Sequence, residues 1–304
     1  MTPSVFIDGA AGTTGLEIRE RLSVRDDLRL IELDDVRRKD ASARREALND
    51  ADVAILCLPD DAAREAVSLI DGDTKVIDAS SAHRVASGWT YGFPELGFDV
   101  ANARRVSNPG CYPTGFLALV DPLVRAGLIP ADWPLTVNAV SGYSGGGKAL
   151  IKRFDADPAI AFRGYAFDLG HKHVPEMRRH AGLTHPPVFA PSVIRAFRGM
   201  VVEVPLPLAA MPGCPSRAAL LDALHAAFED QPLIRVHDEM PDELLVATAA
   251  APTDRLDLYV AADAAGTQAR LIATLDNLGK GAGGAAVQNL NLLAGLDPLA
   301  GLIF

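Results

Sequence analysis

Short apolar runs alternate with helical patterns over residues 1–110. The predicted strands are SVFID, LRLIEL, DVAILCLP and KVIDAS, and the predicted helices begin near Thr14 and run through SARREALND and DAAREAVSLI. Each strand is a continuous apolar run, which is typical of a sheet with both faces covered. Strands alternating with helices predict a parallel, Rossmann-like sheet.

The pattern changes after about residue 135, where longer β-rich runs begin. We expect strands in LTVNAVSG, MVVEVPLPL and LLVATAA, and a hairpin from RLDLYVAAD and GTQARLIATLD. One amphipathic helix, SRAALLDALHAAFED, has Ser216 as its N-cap and apolar positions at Leu220, Leu221, Leu224 and Phe228. These elements predict a second, α+β domain with a mixed, largely antiparallel sheet.

The last stretch, NLGKGAGGAAVQNLNLLAGL, has the pattern of a helix interrupted by glycines. We expect it to pack on the first domain and so make that domain discontinuous. The predicted domains are therefore residues 1–110 plus 278–304, a Rossmann-like domain, and residues 111–277, a catalytic and oligomerisation domain.

The length and the charge of the chain limit the classes of function that it can have. A chain of 304 residues that is 49% hydrophobic can form two cores. Its formal charge of −10 argues against nucleic acid or an anionic membrane surface as a partner, because both need a basic footprint. No apolar run approaches the ~18 residues of a membrane span. We expect a cytoplasmic protein that acts on a small molecule, and an anionic substrate stays possible.

A glycine-rich loop, DGAAGTTG, follows the first strand directly. Gly9, Gly12 and Gly15 are spaced three apart, with Thr13 and Thr14 between them at the start of a predicted helix. Glycines there let backbone N–H groups approach a pyrophosphate, whose charge the helix N-terminus favours. The spacing departs from the usual dinucleotide pattern, and a turn that binds nothing is the alternative.

A basic run, Arg37, Arg38 and Lys39, follows the second predicted strand. Cations at this point suit the extra phosphate of NADP, so we expect Arg37 to bind it. A solvated helix face is the alternative for this run.

The segment SNPGCYPTG places a cysteine between a turn and the start of a predicted helix. Cys57 lies in an apolar run and Cys214 in a loop, which leaves Cys111 as the cysteine with a chemical setting among the three. A thiolate attacks activated carbonyl groups, and a helix N-terminus favours the thiolate. The thioester so formed accepts a hydride, whereas a carboxylate does not. A small residue at a helix cap is the alternative.

The segment HKHVPE supplies candidates for proton transfer. His171 and His173 share one side if the segment is extended, and Glu176 can orient an imidazole or hold a substrate amide. A two-histidine metal site is the rival interpretation, but no third histidine or cysteine lies nearby, so we predict no metal.

Two polar loops complete the candidate site. Arg84 in SSAHR follows a strand of the first sheet and suits a substrate carboxylate or phosphate. In SGYSGGGK, Lys148 and the backbone N–H groups of Gly145–Gly147 suit an anion. For either loop, a structural role alone is the alternative.

Taken together, GAAGTTG, SNPGCYPTG, SGYSGGGK, HKHVPE and KGAGGAAVQNLNLL resemble the short-form, type 2 N-acetyl-γ-glutamyl-phosphate reductases, which have the semialdehyde-dehydrogenase fold. The resemblance covers essentially the whole chain, and SNPGCYPTG is its most specific part. It implies NADPH-dependent reduction of N-acetyl-L-glutamyl 5-phosphate to the 5-semialdehyde in arginine biosynthesis, by a homo-oligomer that is a dimer or a tetramer.

The resemblance also implies roles for individual residues. Cys111 matches the nucleophile, and His171 before His173 matches the general acid/base. Arg84 matches a substrate-binding arginine that usually follows aspartate and phenylalanine, whereas here Ala82 and His83 precede it. The remaining implied residues are Glu176 and Lys148 for the substrate, and Ser144, Gly145 and Asn289, or its neighbour Gln288, for the cofactor.

Three alternatives stay open at this point. Aspartate-semialdehyde dehydrogenase and the aminoadipyl-phosphate reductases share the architecture and the thiol chemistry, and sequence does not give the substrate's length. A non-catalytic NADP-binding sensor is the alternative from another class.

Overall fold

The computed structural model describes residues 2–34 and 36–304. The chain forms two compact units, Met1–Gly110 with Ala282–Ile303, and Cys111–Gly281 with Phe304. Within the described residues, no helix has both the length and the apolar character needed to cross a membrane.

The first unit is built on a parallel sheet. Its strands are β1 (Ser4–Asp8), β2 (Arg29–Ile31), β3 (Val53–Leu56), β4 (Lys75–Asp78), β5 (Thr90–Tyr91) and β6 (Arg105–Ser107). Its helices are α1 (Thr13–Leu22), α2 (Ala41–Asp50), α3 (Asp60–Ser68) and the C-terminal helix (Gly284–Ala294). In the described part of the chain the strand order is β2-β1-β3-β4-β6-β5, with every pairing parallel. The predicted parallel sheet is confirmed, although β2 is shorter than LRLIEL and the pattern did not predict β5 or β6.

The burial of alternate residues of β1 on opposite faces of the sheet explains why its strands are continuous apolar runs. Val5 and Ile7 belong to one core cluster together with residues of α1 and the C-terminal helix. Phe6, between them, belongs to the other cluster with residues of α2 and α3. Side chains of a strand point alternately to its two faces, so a sheet buried on both sides needs apolar residues at every position.

The second unit is built on a mixed sheet. Its strands are β7 (Thr136–Gly142), β8 (Phe162–Gly164), β9 (Val188–Ile194), β10 (Met200–Leu206), β11 (Ile234–His237), β12 (Leu256–Ala262) and β13 (Ala269–Leu275). Its helices are α4 (Cys111–Arg125), α5 (Gly147–Ala156), α6 (Val174–His180) and α7 (Arg217–Phe228). Among described residues the order is β11-β12-β13-β10-β7-β9-β8. Only β7 with β9 and β11 with β12 pair in parallel there, which confirms a mixed, largely antiparallel sheet.

Several predicted elements of this unit are confirmed and one is wrong. The β12–β13 hairpin is present, and Ser216 caps α7 by accepting a hydrogen bond from the N–H of Ala219 at 3.2 Å. The four apolar positions of α7 are buried. The run LLVATAA, residues 244–250, forms no strand. The strands flanking it, β11 and β12, pair with each other directly. The run is therefore part of the connection between two neighbouring strands, although its composition is β-rich.

Helix α4 is almost wholly buried and packs on β10 and β13. Gly115 makes this close approach possible. A Cβ at this position would lie 2.9 Å from Cγ2 of Val202 and 3.3 Å from Cβ of Ala273. The helix that begins at Cys111 is therefore held against the sheet by a position that admits no side chain.

We predict that Gly115→Ala lowers the free energy of unfolding by about 1–3 kcal/mol, because an inserted methyl group overpacks this contact. Thermal unfolding followed by circular dichroism measures the change. Gly72→Ala is the matched control, since a Cβ there meets only Oδ1 of Asn49, at 3.9 Å. Equal midpoints for the two variants would contradict the assigned packing.

Candidate active site

The glycine loop of the first unit is shaped by its neighbours. Gly9 has φ of +87°, and a Cβ there would overlap the carbonyl oxygen of Cys57. A Cβ on Gly15 would lie 2.5 Å from the carbonyl oxygen of Gly9. The N–H of Gly12 donates to that same oxygen at 2.9 Å, which closes the turn. Side chains are therefore excluded at Gly9 and Gly15, and the glycine at position 12 leaves the N-terminal backbone of α1 approachable.

Two buried oxygen atoms in this unit fit a polar ligand. Oγ1 of Thr13 and Oδ1 of Asn289 are buried, and within the described residues neither has a hydrogen-bond partner. Gly12 at the N-cap of α1 offers no side chain to cap that helix. Buried polar atoms normally have partners, so these atoms fit a group with donors and acceptors of its own, as a dinucleotide has.

The predicted basic run forms an exposed turn of 3₁₀-helix, Arg37–Lys39. Oδ1 of Asp34 accepts hydrogen bonds from the N–H groups of Val36 and Arg37, and the bond from Arg37 is the largest cause that lowers the pKa of Asp34. Nη2 of Arg37 lies 3.0 Å from Oε2 of Glu46 in an exposed pair. Such pairs contribute little energy, so Arg37 can exchange this partner for another anion.

Cys57 lies directly after β3, partly exposed, and packs against the core of the first unit. Desolvation, with smaller contributions from Asp78 and Asp8, raises the pKa of its thiol to about 12. Cys57 therefore stays a neutral thiol, as its interpretation as a core residue predicts.

Arg84 is buried and braces the loop that contains it. Its Nε donates to the carbonyl oxygen of Asn108 at 3.0 Å and its Nη2 to that of Ala79 at 3.2 Å. His83 stacks on Trp89 with ring centroids 4.0 Å apart, and its Nδ1 lies 2.6 Å from Oδ2 of Asp78. The histidine that departs from the family pattern is thus packed into the first unit.

Asn108 forms hydrogen bonds through both its backbone and its side chain. Its N–H donates to the carbonyl oxygen of Asp78 at 2.8 Å, and its Nδ2 donates to that of Ala282 at 3.0 Å. Its Oδ1 accepts from Nδ2 of Asn289 at 3.0 Å. Together with the bond from Arg84, these contacts fix the chain three residues before Cys111.

In the second unit, Cys111 is the first residue of α4 and is partly exposed. The helix N-terminus favours a negative charge there. Gly281 lies against the cysteine: a Cβ on Gly281 would be 2.9 Å from Cβ of Cys111. Gly281 belongs to a short π-helical segment, Gly279–Gly283, and its N–H donates to the carbonyl oxygen of Asp276 at 2.9 Å.

Asp276 and Asn277 join the loops around that segment. Oδ2 of Asp276 lies 2.8 Å from Nη1 of Arg198, and both side chains are largely buried. Oδ1 of Asn277 accepts from the N–H of Gly199 at 3.0 Å, and its Nδ2 donates to Oγ of Ser144 at 2.9 Å. Ser144 in SGYSGGGK is therefore held by Asn277.

The predicted histidines are brought together, but not on an extended segment. Residues 171–173 form a turn in which the N–H of Val174 donates to the carbonyl oxygen of His171 at 3.0 Å. The segment is not extended, because His173 is the N-cap of α6 and has helical backbone angles. The turn still places the rings of His171 and His173 4.7 Å apart.

The remaining predicted residues of this unit differ in exposure. Glu176 is 1% exposed in the first turn of α6, and His173 is 6% exposed, whereas His171 is partly exposed. Lys148, in the first turn of α5, and Gly145 are exposed.

Among the described residues, no group of three or more histidine, cysteine, aspartate or glutamate side chains has the arrangement of a metal site.

Sequence reasoning missed several residues that shape this unit. Asp276 and Asn277 directly precede the glycine-rich run, and that adjacency was the available signal. Tyr112 and Tyr165 surround the histidines: Tyr165 Oη lies 3.3 Å from Nε2 of His171 and 3.3 Å from Oη of Tyr112. No periodicity relates these tyrosines, because a loop brings them together. Burial raises the pKa of both phenols, and the charge of Cys111 adds to the effect.

Comparison with family models covers both units. Residues 4–103 match the family described as semialdehyde dehydrogenase, NAD binding domain. Residues 111–277 match the family described as semialdehyde dehydrogenase, dimerisation domain.

Similar proteins agree with these matches. The chain is 49% identical to N-acetyl-γ-glutamyl-phosphate reductase of Trichormus variabilis over 99% of both chains, and 50% identical to reductase 2 of Pseudomonas putida over 97% of both. Aspartate semialdehyde dehydrogenase II of Vibrio cholerae, complexed with ASA, has a TM-score of 0.68 at 17% identity, covering 97% of this chain and 98% of that one. The Candida albicans enzyme with NADP has a TM-score of 0.66 at 14% identity, with 96% and 98% covered. At these identities the structures show a shared fold alone.

We predict that Gly281→Ala slows alkylation of Cys111 roughly 2- to 5-fold, the equivalent of losing ~0.3–1 kcal/mol of charge–dipole interaction. The added methyl group would also lie 3.1 Å from the carbonyl oxygen of Asp276, so the cysteine has to shift from its place at the helix N-terminus. Iodoacetamide labelling with mass mapping of the Cys111 peptide measures the rate, with Gly72→Ala as control. A wild-type rate in Gly281→Ala would contradict the assigned contact.

Proposed function

The chain belongs to the semialdehyde dehydrogenases and, within them, to the N-acetyl-γ-glutamyl-phosphate reductases, NADP-dependent oxidoreductases of arginine biosynthesis, and from this premise we propose how its residues perform the reaction. The resemblance in the motifs is thereby confirmed. The substrate we assign is N-acetyl-L-glutamyl 5-phosphate, and the products are N-acetyl-L-glutamate 5-semialdehyde and phosphate. The observation that carries the assignment is a partly exposed thiol, Cys111, at the N-terminus of a buried helix.

The first unit holds the cofactor in this proposal. The pyrophosphate lies at the backbone of Gly9, Gly12 and Gly15, a loop in which neighbouring atoms exclude side chains at Gly9 and Gly15. Thr13 and Asn289 meet the cofactor through their buried oxygens, and Thr14 flanks the same turn. Arg37 leaves its exposed pair with Glu46 for the 2′-phosphate. For Ser144 and Gly145, cofactor binding stays a prediction that rests on the family resemblance. NADPH, when bound, supplies the hydride that reduces an acyl group.

Cys111 carries the acyl group. Its thiolate attacks the carbonyl carbon of the acyl phosphate, a carbon–sulfur bond forms, and phosphate leaves with the electrons of the carbon–oxygen bond. Backbone N–H groups at the start of α4 stabilise the oxyanion of this step, and such donors are worth ~3–4 kcal/mol each where they have been measured. After reduction, the carbon–sulfur bond breaks and the thiolate is restored.

His171 holds and moves the proton in this scheme, with His173 as the second choice. His171 is partly exposed whereas His173 is buried, which favours His171 for contact with substrate. An imidazole is suited to exchange a proton with the oxygen of the reacting carbon. Arg84, Lys148 and Glu176 are proposed to bind the substrate's charged and amide groups.

The rival substrates have less support. Relatives at 48–50% identity over nearly full length are named for the N-acetylglutamyl reaction, whereas the aspartate-semialdehyde dehydrogenases share 12–19%. A thiolate nucleophile and three free cysteines suit a reducing compartment, so we propose that the protein works in the cytoplasm.

We predict that Cys111→Ser abolishes turnover and leaves NADPH binding intact, because the serine hydroxyl is far less acidic than the thiol. The assay follows NADPH formation at about 340 nm in the reverse direction, with N-acetylglutamate semialdehyde, NADP and phosphate. Cys214→Ser is the matched control, because Cys214 lies exposed in a loop. Appreciable turnover by Cys111→Ser would remove the covalent step, and a wild type that uses only the aspartyl or aminoadipyl substrate would overturn the substrate assignment.

We further propose that the homo-oligomer is a dimer formed through the open face of the second sheet. Helix α4 covers one face, while a groove on this sheet is lined by Phe162, Phe167, Leu169 and Val188. These side chains are 53–86% exposed, and large apolar patches mark interaction sites. The dimerisation-domain match over residues 111–277 supports a second copy of this chain as the occupant.

Phe167→Asp is expected to convert the dimer to a monomer at micromolar concentration, because a carboxylate would be buried without a partner. Analytical ultracentrifugation measures the mass. Val24→Asp is the matched control, since Val24 is 81% exposed in the first unit, close to the 86% of Phe167. A Phe167→Asp protein that sediments like Val24→Asp would exclude this face.

A further inference from the structure

The two tyrosines beside the histidines form a hydrogen-bonded chain with a fixed direction. Oη of Tyr112 lies 3.1 Å from the carbonyl oxygen of Ser192, and Oη of Tyr165 lies 3.3 Å from Oη of Tyr112. Oη of Tyr112 also bonds to the side chain of Ser141, which can donate to it, whereas a carbonyl oxygen only accepts, so the Tyr112 proton points to Ser192. The Tyr165 proton must then point to Tyr112.

This direction determines what Tyr165 offers to His171. Since its only proton is directed at Tyr112, the oxygen of Tyr165 acts as an acceptor towards Nε2 of His171, 3.3 Å away. On the other side of the ring, Nδ1 of His171 lies 3.1 Å from the backbone nitrogen of His173, whose N–H donates to it. The two contacts agree: Nε2 carries the proton and Nδ1 does not.

The surroundings keep Tyr165 in this role. Burial is the largest cause that raises its pKa, so the phenol stays neutral and retains the proton it gives to Tyr112. The guanidinium of Arg163 lies over its ring at 4.3 Å. The rings of Tyr165 and Phe189 both pack edgewise on His171, with centroids 5.5 and 5.1 Å away. Ring packing does not distinguish the two tautomers, whereas the hydroxyl of Tyr165 and the N–H of His173 both favour Nε2–H.

We propose that Tyr165 is a positioning residue that fixes the ring orientation and the Nε2–H tautomer of His171. The consequence for the reaction rests on the proposed function of His171 as the proton-transfer group. A histidine with its proton fixed on Nε2 has one defined donor atom, which exchanges its contact with Tyr165 for the oxygen of the reacting carbon when the substrate binds.

The test is Tyr165→Phe, which keeps the ring and removes the hydroxyl. Two-bond ¹H–¹⁵N correlation spectra of histidine-labelled protein report the tautomer directly, with the His171 signals assigned from their loss in His171→Gln. We expect the Nε2–H pattern in the wild type and a measurable Nδ1–H population in Tyr165→Phe, where the N–H of His173 is the remaining one of the two contacts that favour Nε2–H. We also expect kcat/KM to fall roughly 10- to 100-fold, part of the ~10²- to 10⁴-fold contribution of general acid–base catalysis.

Tyr259→Phe is the matched control. Tyr259 stacks on His237 in the same unit, with ring centroids 4.4 Å apart. The Tyr259→Phe substitution therefore removes a hydroxyl beside another histidine. It should leave the His171 signals and kcat/KM unchanged. An unaltered His171 pattern in Tyr165→Phe would overturn the proposal, whatever happens to turnover.

Two further outcomes separate this proposal from the function it rests on. A wild type without turnover whose His171 tautomer still depends on Tyr165 would overturn the proposed function alone. If Tyr165→Phe does not fold, Tyr112→Phe tests the same chain, because the freed Tyr165 proton then turns towards Nε2. The Nε2–H population of His171 should fall in that variant, and an unchanged population would contradict the proposal.

Discussion

A buried carboxylate, Asp276, organises the surroundings of the thiol. A charge in the interior must be paired, and here Arg198 pairs it at 2.8 Å while the N–H of Leu278 donates to its second oxygen at 2.9 Å. Its backbone carbonyl holds Gly281, which lies against Cys111. Removing one partner of such a pair costs roughly 3–5 kcal/mol, so this contact has one stable arrangement. The position of Cys111 thus depends on the ion pair between Asp276 and Arg198, through Gly281.

The glycines of this region follow from the same constraint. A Cβ on Gly279 would overlap the carbonyl oxygen of Thr253, and one on Gly281 would press on Cys111. Asn277 extends the arrangement to Ser144 and Gly199, so three loops are joined at two adjacent residues. In the first unit Asn108 has a comparable role, since Arg84, Asp78, Asn289 and Ala282 all bond to it. Polar side chains that are fully bonded in a buried setting specify one backbone geometry.

The sequence predicted the elements that are determined by interactions between neighbouring residues. It did not predict the features that depend on residues distant in the chain. The periodicity of α7, its Ser216 cap and the alternating faces of β1 are read from neighbouring residues, and the structure confirms them. The run LLVATAA has β-rich composition without a strand, because tertiary pairing of β11 with β12 bypasses it. Cys111 and the histidines were predicted from chemical type and motif. Tyr165 and Asp276 were not, because their roles come from contacts made through loops.

The segment that carries Tyr165 both exposes apolar side chains and contacts His171. Ala166 and Leu169 adopt positive φ, of 56° and 60°, which costs non-glycine residues energy that the surrounding structure must offset. Exposed Phe167 and Leu169 lie on this segment, while the hydroxyl of Tyr165 contacts His171. A strained backbone keeps its conformation only when contacts on both sides hold it. The segment therefore lines the apolar groove of the sheet and also contacts one imidazole, through Tyr165.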